Sequence, residues 1–335
     1  MGAGEAKRPL AARIGAGMFR AIVALFLFVL VLLLILRGLA DWREAGATPP
    51  QGVSTFATPA GAVAARVTGP ADGPPIVLVH GTAAWSGFWQ EVADHLASRG
   101  WRVVAIDLPP FGWSERDPQS RYDRIAQAER LAAVLGALEK PATVVGHSFG
   151  AGPAMELALR HPDQLRGLVL VDAALGELDP AAESGVAKAM RMTPIAELVT
   201  AASVTNPNAL APLLRSMIAR KEQAHRWVPV LRTPMMREGT TSAYAAWLPN
   251  LFARQDGALS RRTAELRKTK VPVALIWGDA DTVTPLEQGK RIAELTRARS
   301  LQVLPGVGHI PHIEDPEGFR KSLDRALATL PWEGK

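Results

Sequence analysis

The hydrophobic pattern divides the chain into two unlike parts. Residues 21–36 form an unbroken uncharged run in which 14 of 16 positions are Leu, Ile, Val or Phe. From residue 52 onward, short apolar segments alternate with amphipathic ones. At about 0.3 to 0.6 kcal/mol of insertion per residue, the first run contributes roughly 4 to 8 kcal/mol in favour of a bilayer. A hydrocarbon core about 30 Å thick asks for about 20 residues, a length met if residues 18–39 span it while Arg20 and Arg37 extend back to the headgroups. Lys7, Arg8, Arg13 and Arg20 precede the run, and Arg37 and Arg43 follow it among Asp41 and Glu44. The positive-inside rule therefore places residues 1–17 in the cytoplasm and the remainder on the outer side, periplasmic or extracellular. The competing expectation is secretion after signal-peptide cleavage, because Gly38-Leu39-Ala40 loosely fits a small-x-small site. The length of the run and the adjacent Arg37 weigh against it. Residues 40–51, polar and carrying Pro49-Pro50, read as a linker tethering the span to a folded domain.

Beyond the linker the pattern predicts a hairpin (53–58 and 63–68), then strands at 76–80, 102–107, 142–146, 168–171, 273–277 and 301–304. Helices are predicted at 87–98, 123–138 and 154–160. This alternation predicts an α/β fold with a mostly parallel central sheet. The strands at 142–146, 168–171 and 273–277 are almost wholly apolar, as strands covered on both faces must be. Residues 176–268 contain no clear strand and are rich in Ala, Leu, Met and Pro. They read as a helical cap inserted between two core segments, 52–175 and 269–335. An insertion after a strand's C-terminal end lies over the edge of the sheet where α/β ligands bind.

Composition narrows the chemistry. The 335 residues, 48% hydrophobic, suffice for a well-buried core and exclude a disordered chain. Lys and Arg number 38 against 32 acidic residues, a formal charge of +6 with no clustered basic face, so no nucleic-acid partner is expected. The absence of Cys removes disulfides, thiolate catalysis and Cys-ligated zinc. No His-Glu-x-x-His and no phosphate-cradling glycine loop followed by Lys and Ser/Thr occurs, so neither a metal nor another cofactor is expected.

The strongest local signal is Gly146-His147-Ser148-Phe149-Gly150, directly after one predicted strand and directly before a helical run. A serine in that G-x-S-x-G context sits on a tight turn that presents its hydroxyl outward, and the glycines leave room for the neighbouring strand and helix. A hydroxyl is a weak nucleophile until a base removes its proton. Asp281 follows the strand 273–277 and His309 follows the strand 301–304. Ser148, Asp281, His309 thus recur in the order nucleophile, acid, base, each after the C-terminal end of a strand, so one sheet edge can gather them. Asp279 and Asp172 compete for the acid. Asp279 is expected in a solvated turn, and Asp172 as a structural carboxylate near the cap hinge. His312 competes for the base and is expected to support the loop.

With these motifs the chain resembles the α/β-hydrolase superfamily, in its cap-bearing serine branch of esterases, lipases, carbon-carbon bond hydrolases and haloperoxidase-like enzymes. The resemblance extends over about residues 52–330. It also rests on Val79-His80-Gly81-Thr82, Asp107-Leu108-Pro109-Pro110-Phe111-Gly112-Trp113-Ser114, Trp277-Gly278-Asp279-Ala280-Asp281 and Gly308-His309-Ile310-Pro311-His312-Ile313-Glu314-Asp315-Pro316. It implies catalysis by Ser148, Asp281 and His309, with an oxyanion hole made by the backbone N–H groups of Thr82 and Phe149. The implied substrate is a small, hydrophobic, ester-like acyl compound cleaved through an acyl-enzyme. A carbon-carbon hydrolase or perhydrolase using the same triad, or a non-catalytic binding protein on this fold, remains an alternative. Pro110 departs from the glycine common in such loops and stiffens this one.

The cap segment 177–268 holds five of the eight Met residues, Met190, Met192, Met217, Met235 and Met236, together with Trp227, Tyr244, Trp247 and Phe252. Soft side chains of this kind suit an adaptable acyl pocket, although most must simply pack the cap onto the core. The basic residues Arg261, Arg262, Arg267, Lys268 and Lys270 read as a solvated helix face.

Overall fold

The computed structural model describes residues 10–44, 46–180 and 185–331. Lys7 and Arg8 of the basic N-terminal segment, and the last residues of the second core segment, lie outside them. The strands are β1 Val53–Phe56, β2 Val63–Thr68, β3 Pro75–Val79, β4 Arg102–Ile106, β5 Ala142–His147, β6 Leu165–Val171, β7 Val273–Gly278 and β8 Ser300–Leu304. They form one sheet in the order β1-β2-β4-β3-β5-β6-β7-β8. The expected hairpin, β1 and β2, joins β4 antiparallel at one edge, and every later pairing is parallel. Chain order reverses at β3, which lies between β4 and β5. The loop after β3 and the turn after β5 therefore meet beside one crevice, where α/β sheets place their ligands.

The core helices are α2 Gln90–Ser98, α3 Arg124–Gly136 and α4 Ala151–Arg160, followed after the insertion by α12 Leu286–Thr296, α13 Pro311–Glu314 and α14 Pro316–Ala328. Strand side chains alternate between faces, as the period of two demands. Ile76, Leu78, Val103, Ala105, Val145, Ala274 and Ile276 pack with Leu96 of α2 and Phe319 and Leu323 of α14. Val77, Val79, Val104, Val144, Leu275 and Trp277 pack with Leu131 and Leu135 of α3, Met155 of α4 and Ile292 of α12. That double cover is why these strands read as continuous apolar runs. The predicted helix at 87–98 begins as a 3-10 turn, Ser86–Trp89, before α2.

Between β6 and β7 the described residues are helical, in α5 Gly185–Met190, α6 Thr193–Ala202, α7 Pro207–Met217, α8 Ala224–Met235, α9 Thr240–Trp247, α10 Pro249–Phe252 and α11 Thr263–Leu266. Aromatic rings join this cap to the core: Phe88 lies 5.1 Å from Trp227, Phe111 4.8 Å from Tyr244, and Phe149 5.1 Å from Trp247, between ring centroids.

Ahead of the domain runs a single long helix, α1 Leu10–Arg43. Its stretch Gly17–Arg43, 27 residues, is long and apolar enough to cross a membrane. Its end corrects the reading of residues 40–51 as a free tether. Residues 41–43 continue the helix, and Ala40 (1% exposed) and Glu44 (6%) are buried against the cap. Arg37 donates to Glu197 at 3.4 Å and to Ser242 at 3.0 Å, and Glu44 accepts hydrogen bonds from the backbone N–H and hydroxyl of Thr241. The polar residues after the apolar run face a docking surface that composition alone does not reveal.

Candidate active site

Ser148 occupies the turn between β5 and α4 with φ of 49°, in the left-handed region that costs a residue with a Cβ. The turn is possible only with small neighbours. A Cβ on Gly150 would lie 2.4 Å from the His80 carbonyl oxygen, and one on Gly146 2.9 Å from Cα of Ala151. Gly81, in the loop after β3, is equally constrained, since a Cβ there would lie 2.8 Å from Nδ1 of His147 and 3.0 Å from Cβ of Ser148.

Three strand ends bring the predicted trio together. His309 Nε2 lies 2.8 Å from Ser148 Oγ, and His309 Nδ1 lies 2.8 Å from Asp281 Oδ2. Asp281 is held by its own loop: Oδ1 accepts from the N–H groups of Val283 (2.7 Å) and Thr284 (3.0 Å), and Oδ2 from the Thr284 hydroxyl (2.6 Å). Burial raises the pKa of this carboxyl, but its bonds to His309 and Thr284 and the charge attraction to His309 outweigh that effect and hold it below the usual carboxylate range.

The rejected candidates have other places. Asp279 is exposed and accepts from the Gly306 N–H at 2.7 Å, pinning the turn that leads to His309. Asp172, fully buried at the end of β6, accepts from the Gly278 N–H at 2.9 Å. Burial pushes its carboxyl well above the usual range, and the Asp281 charge adds to the shift. Asp172, Asp281 and His309 offer donor atoms within 4.8 Å of one another. Hydrogen bonds to the loop and to each other already engage Asp281 and His309.

Two buried histidines lie beside the triad, His147 in the cavity wall and His312 behind it. Burial lowers His147 to about 3, and the Nε2–H of its neutral ring donates to the His309 carbonyl at 2.8 Å. His312 stacks on Trp89 with centroids 4.2 Å apart and is lowered well below its ordinary value, also by burial. Its ring also meets those of His147 and Phe319, 4.8 and 5.7 Å away between centroids.

Sequence reasoning missed Thr284 and Glu314. Glu314, 1% exposed, accepts four backbone N–H groups: Oε2 takes those of Ala219 (2.7 Å), Gly308 (3.0 Å) and Arg220 (3.1 Å), and Oε1 that of Ile310 (3.2 Å). The N–H of His309 donates to the Met217 carbonyl at 3.0 Å. The loop bearing His309 is thereby tied to the cap. The only signal in the chain was an acidic residue inside Gly308-His309-Ile310-Pro311-His312-Ile313-Glu314, with no partner visible nearby.

Ser148 and His309 open into a cavity of about 510 Å³. Gly81, Thr82 and Phe149 line it from the core, and Leu214, Met217, Leu231, Leu251 and Phe252 from the cap. The Thr82 N–H has no acceptor among the described residues, and Phe149 lies in the 3-10 turn Ser148–Gly150 before α4. Of the soft cap residues singled out, Met217 and Phe252 reach this cavity, while Trp227, Tyr244 and Trp247 are buried in the joint between cap and core. Arg261 corrects its assignment to a solvated face: it lines the cavity and donates to the carbonyls of Ala253, Arg254 and Glu177. Arg262, Arg267, Lys268 and Lys270 are exposed. Arg124, absent from the sequence-based site, is buried in the same wall and donates to Ser260 Oγ at 3.1 Å. Burial lowers its pKa to about 10. Neither arginine has a carboxylate ion-pair partner among the described residues.

A sequence profile of the alpha/beta hydrolase fold matches residues 74–316. The chain belongs to the α/β-hydrolase family. Among relatives of this α/β-hydrolase is a 2-hydroxymuconate semialdehyde hydrolase of Pseudomonas sp. strain CF600, 30% identical over 76% of this chain and 87% of that protein. A pimeloyl-[acyl-carrier protein] methyl ester esterase of Chromobacterium violaceum is 29% identical over 77% of this chain and 95% of its own. Among solved structures, a membrane phospholipase A described as a bacterial virulence factor superposes with a TM-score of 0.65 at 25% identity. It covers 95% of this α/β-hydrolase and 98% of its own chain. Relatives named as hydrolases and esterases make this chain an enzyme.

Proposed function

We propose that this α/β-hydrolase is a membrane-anchored serine hydrolase that cleaves an ester-bonded acyl group through an acyl-enzyme. The observation that carries the reading is the unbroken chain from Ser148 Oγ to His309 Nε2 at 2.8 Å and from His309 Nδ1 to Asp281 at 2.8 Å, in the wall of a largely apolar cavity. His309 takes the Ser148 proton as Oγ bonds to the acyl carbon, and Asp281 fixes the ring and stabilises the imidazolium. The carbonyl oxygen becomes an oxyanion between the N–H groups of Thr82 and Phe149, donors of a kind each worth about 100- to 1000-fold in rate. The tetrahedral adduct collapses, the carbon–oxygen bond breaks, and His309 returns its proton to the departing alcohol. Water, deprotonated by His309, then attacks the acyl-enzyme. The acid forms, and the proton passes back to Ser148.

In the domain reading, residues 18–39 span the bilayer, with 1–17 cytoplasmic and both core segments and the cap, 52–175, 269–335 and 176–268, on the outer side. The apolar helix and the likeness to a membrane phospholipase support the span, and the charge asymmetry around it supports the orientation. The alternative is secretion after cleavage near residue 40. An intact mass in the membrane fraction supports the anchor, and a processed mass in the medium contradicts it.

A second reading, carbon-carbon bond hydrolysis by the same triad, is favoured by Arg124 and Arg261, whose guanidinium groups line the cavity and suit a substrate bearing a carboxylate. Relatives named as semialdehyde and dienoate hydrolases point the same way. Turnover of p-nitrophenyl acyl esters and of a 2-hydroxy-6-oxo-dienoate by the full chain separates the two. The ester reading predicts faster ester cleavage that varies with acyl length. Preference for the dienoate overturns it.

A further inference from the structure

A second cavity of about 350 Å³ lies away from Ser148, where the end of α1 meets the cap. Ala40, Trp42, Arg43 and Glu44 close one side, and Leu210 of α7 and Arg232, Met235 and Met236 at the end of α8 close the other. One part of this wall is apolar. The other carries the guanidinium groups of Arg43 and Arg232 beside the Glu44 carboxylate, which attracts Arg43 while Arg232 repels it. Arg43 Nη2 is buried without a hydrogen-bond partner, and Arg232 has no ion-pair partner among the described residues. The Glu44 carboxylate shares the wall. Its Oε1 is satisfied by Thr241, whereas its buried Oε2 has no partner.

Arg232 is exposed and Arg43 half-buried, so the two present positive charge at the mouth of an apolar cavity, where a bound anion would be matched by paired N–H donors. The position along α1 suggests where that anion comes from. Arg43 lies four residues beyond Leu39, about 6 Å at 1.5 Å per residue. If residues 18–39 span the hydrocarbon, the cavity mouth lies in the headgroup layer, which adds about 5 to 8 Å on each side. Trp42, 78% exposed beside it, is the residue type that settles at that depth.

We propose that this cavity is a binding site for the phosphate headgroup of a glycerophospholipid, separate from the catalytic cavity. Arg43 and Arg232 hold the phosphate, and Leu210, Met235 and Met236 take the glycerol and the first methylenes. Guanidinium groups match phosphate oxygens with paired N–H donors. Burial raises the Glu44 pKa against the bonds from Thr241, so its free Oε2 takes a proton more readily than an ordinary carboxylate and can then donate to the same phosphate. The ligand would tie α1 to α7 and α8 nearly two turns beyond the ion pair of Arg37 with Glu197 that ties it to α6.

The site rests on the membrane-spanning reading, so the two need separate tests. Alkaline carbonate extraction of membranes tests the span: release of the full chain overturns both span and site. For the site, the full-length Ser148→Ala protein in dodecyl maltoside is titrated with dioleoylphosphatidylglycerol, dioleoylglycerol and inorganic phosphate, with bound species counted by native mass spectrometry. The proposal predicts one phosphatidylglycerol held beyond any lipid that dioleoylglycerol displaces, with inorganic phosphate bound far more weakly. Adding Arg43→Gln and Arg232→Gln should weaken that lipid at least about tenfold, equivalent to about 1.4 kcal/mol. Leu210→Trp, which fills the cavity and leaves both charges, should do the same, and it decides the matter if the arginine variant fails to fold. Unchanged phosphatidylglycerol retention in a folded variant, equal retention of dioleoylglycerol, or equally tight inorganic phosphate overturns the proposal while leaving the catalytic reading intact.

Discussion

Replacing Asp281 by Asn changes one atom, and the hydrogen bonds around it dictate the consequence. Oδ1 accepts two backbone N–H groups, from Val283 and Thr284, so the amide carbonyl of Asn must remain there. The amide NH2 then takes the place of Oδ2 and faces His309 Nδ1. It can only donate, which forces the imidazole into the tautomer that is bare at Nδ1 and protonated at Nε2. That nitrogen, 2.8 Å from Ser148 Oγ, now donates to the hydroxyl and cannot take its proton. Loss of the charge that stabilises the imidazolium adds to the defect. The wrong tautomer in a triad of this kind costs about 10⁴-fold in kcat, about 5 kcal/mol of barrier at 1.36 kcal/mol per decade. The assay is kcat and KM on a p-nitrophenyl ester for wild type, Asp281→Asn and Asp279→Asn, with circular dichroism confirming the fold. Asp281→Asn should lose kcat with KM little changed, and Asp279→Asn should retain most activity because Asp279 only pins the turn at Gly306. Asp281→Asn activity within about tenfold of wild type, in a folded protein, would refute this reasoning.

Three further outcomes follow from the same geometry. Gly81→Ala places a Cβ 2.8 Å from His147 Nδ1 and 3.0 Å from Ser148 Cβ, and the resulting shift of Ser148 should lower kcat/KM by at least about 100-fold, read by initial rates. Glu314→Gln keeps one carbonyl oxygen for four N–H donors and should cost about 1 to 3 kcal/mol in urea unfolding, with kcat falling because the His309 loop loosens. The two buried carboxyls should differ in pH dependence. Asp281, lowered in the folded state, contributes stability that is fully present above its unfolded value of about 3.9 and lost as pH falls through the lower folded value. Asp172, raised, contributes stability present below about 3.9 and lost as pH rises through its folded value. Melting temperatures against pH should therefore show the advantage of wild type over Asp281→Asn shrinking below about pH 4. Asp172→Asn should instead gain on wild type toward alkaline pH, and the absence of these opposite trends would contradict the assignments.

What could be read from the chain depended on the range of the interactions involved. The turn at Ser148 is legible because strand, glycines and helix are consecutive in the chain. The acid and base were legible because each follows an apolar strand in the right order, and parallel pairing of β5, β6, β7 and β8 does the rest. Glu314 was opaque because its partners Ala219 and Arg220 lie in the cap. Arg124 was opaque because nothing in the start of an amphipathic helix says that its guanidinium faces a cavity. Residues 40–44 misled for a related reason. A polar stretch beside an apolar run reads as solvated, yet Glu44 finds its partner Thr241 on a cap helix more than 150 residues away.

The central claim is that Ser148 carries a hydroxyl activated by His309 for attack on acyl carbon. A fluorophosphonate probe on the full-length protein, followed by peptide mass spectrometry, tests it most directly. The account predicts a single stoichiometric adduct on Ser148, absent in Ser148→Ala and formed much more slowly in His309→Ala. No adduct on the folded protein, or an adduct on another serine with ester turnover surviving in Ser148→Ala, would contradict it.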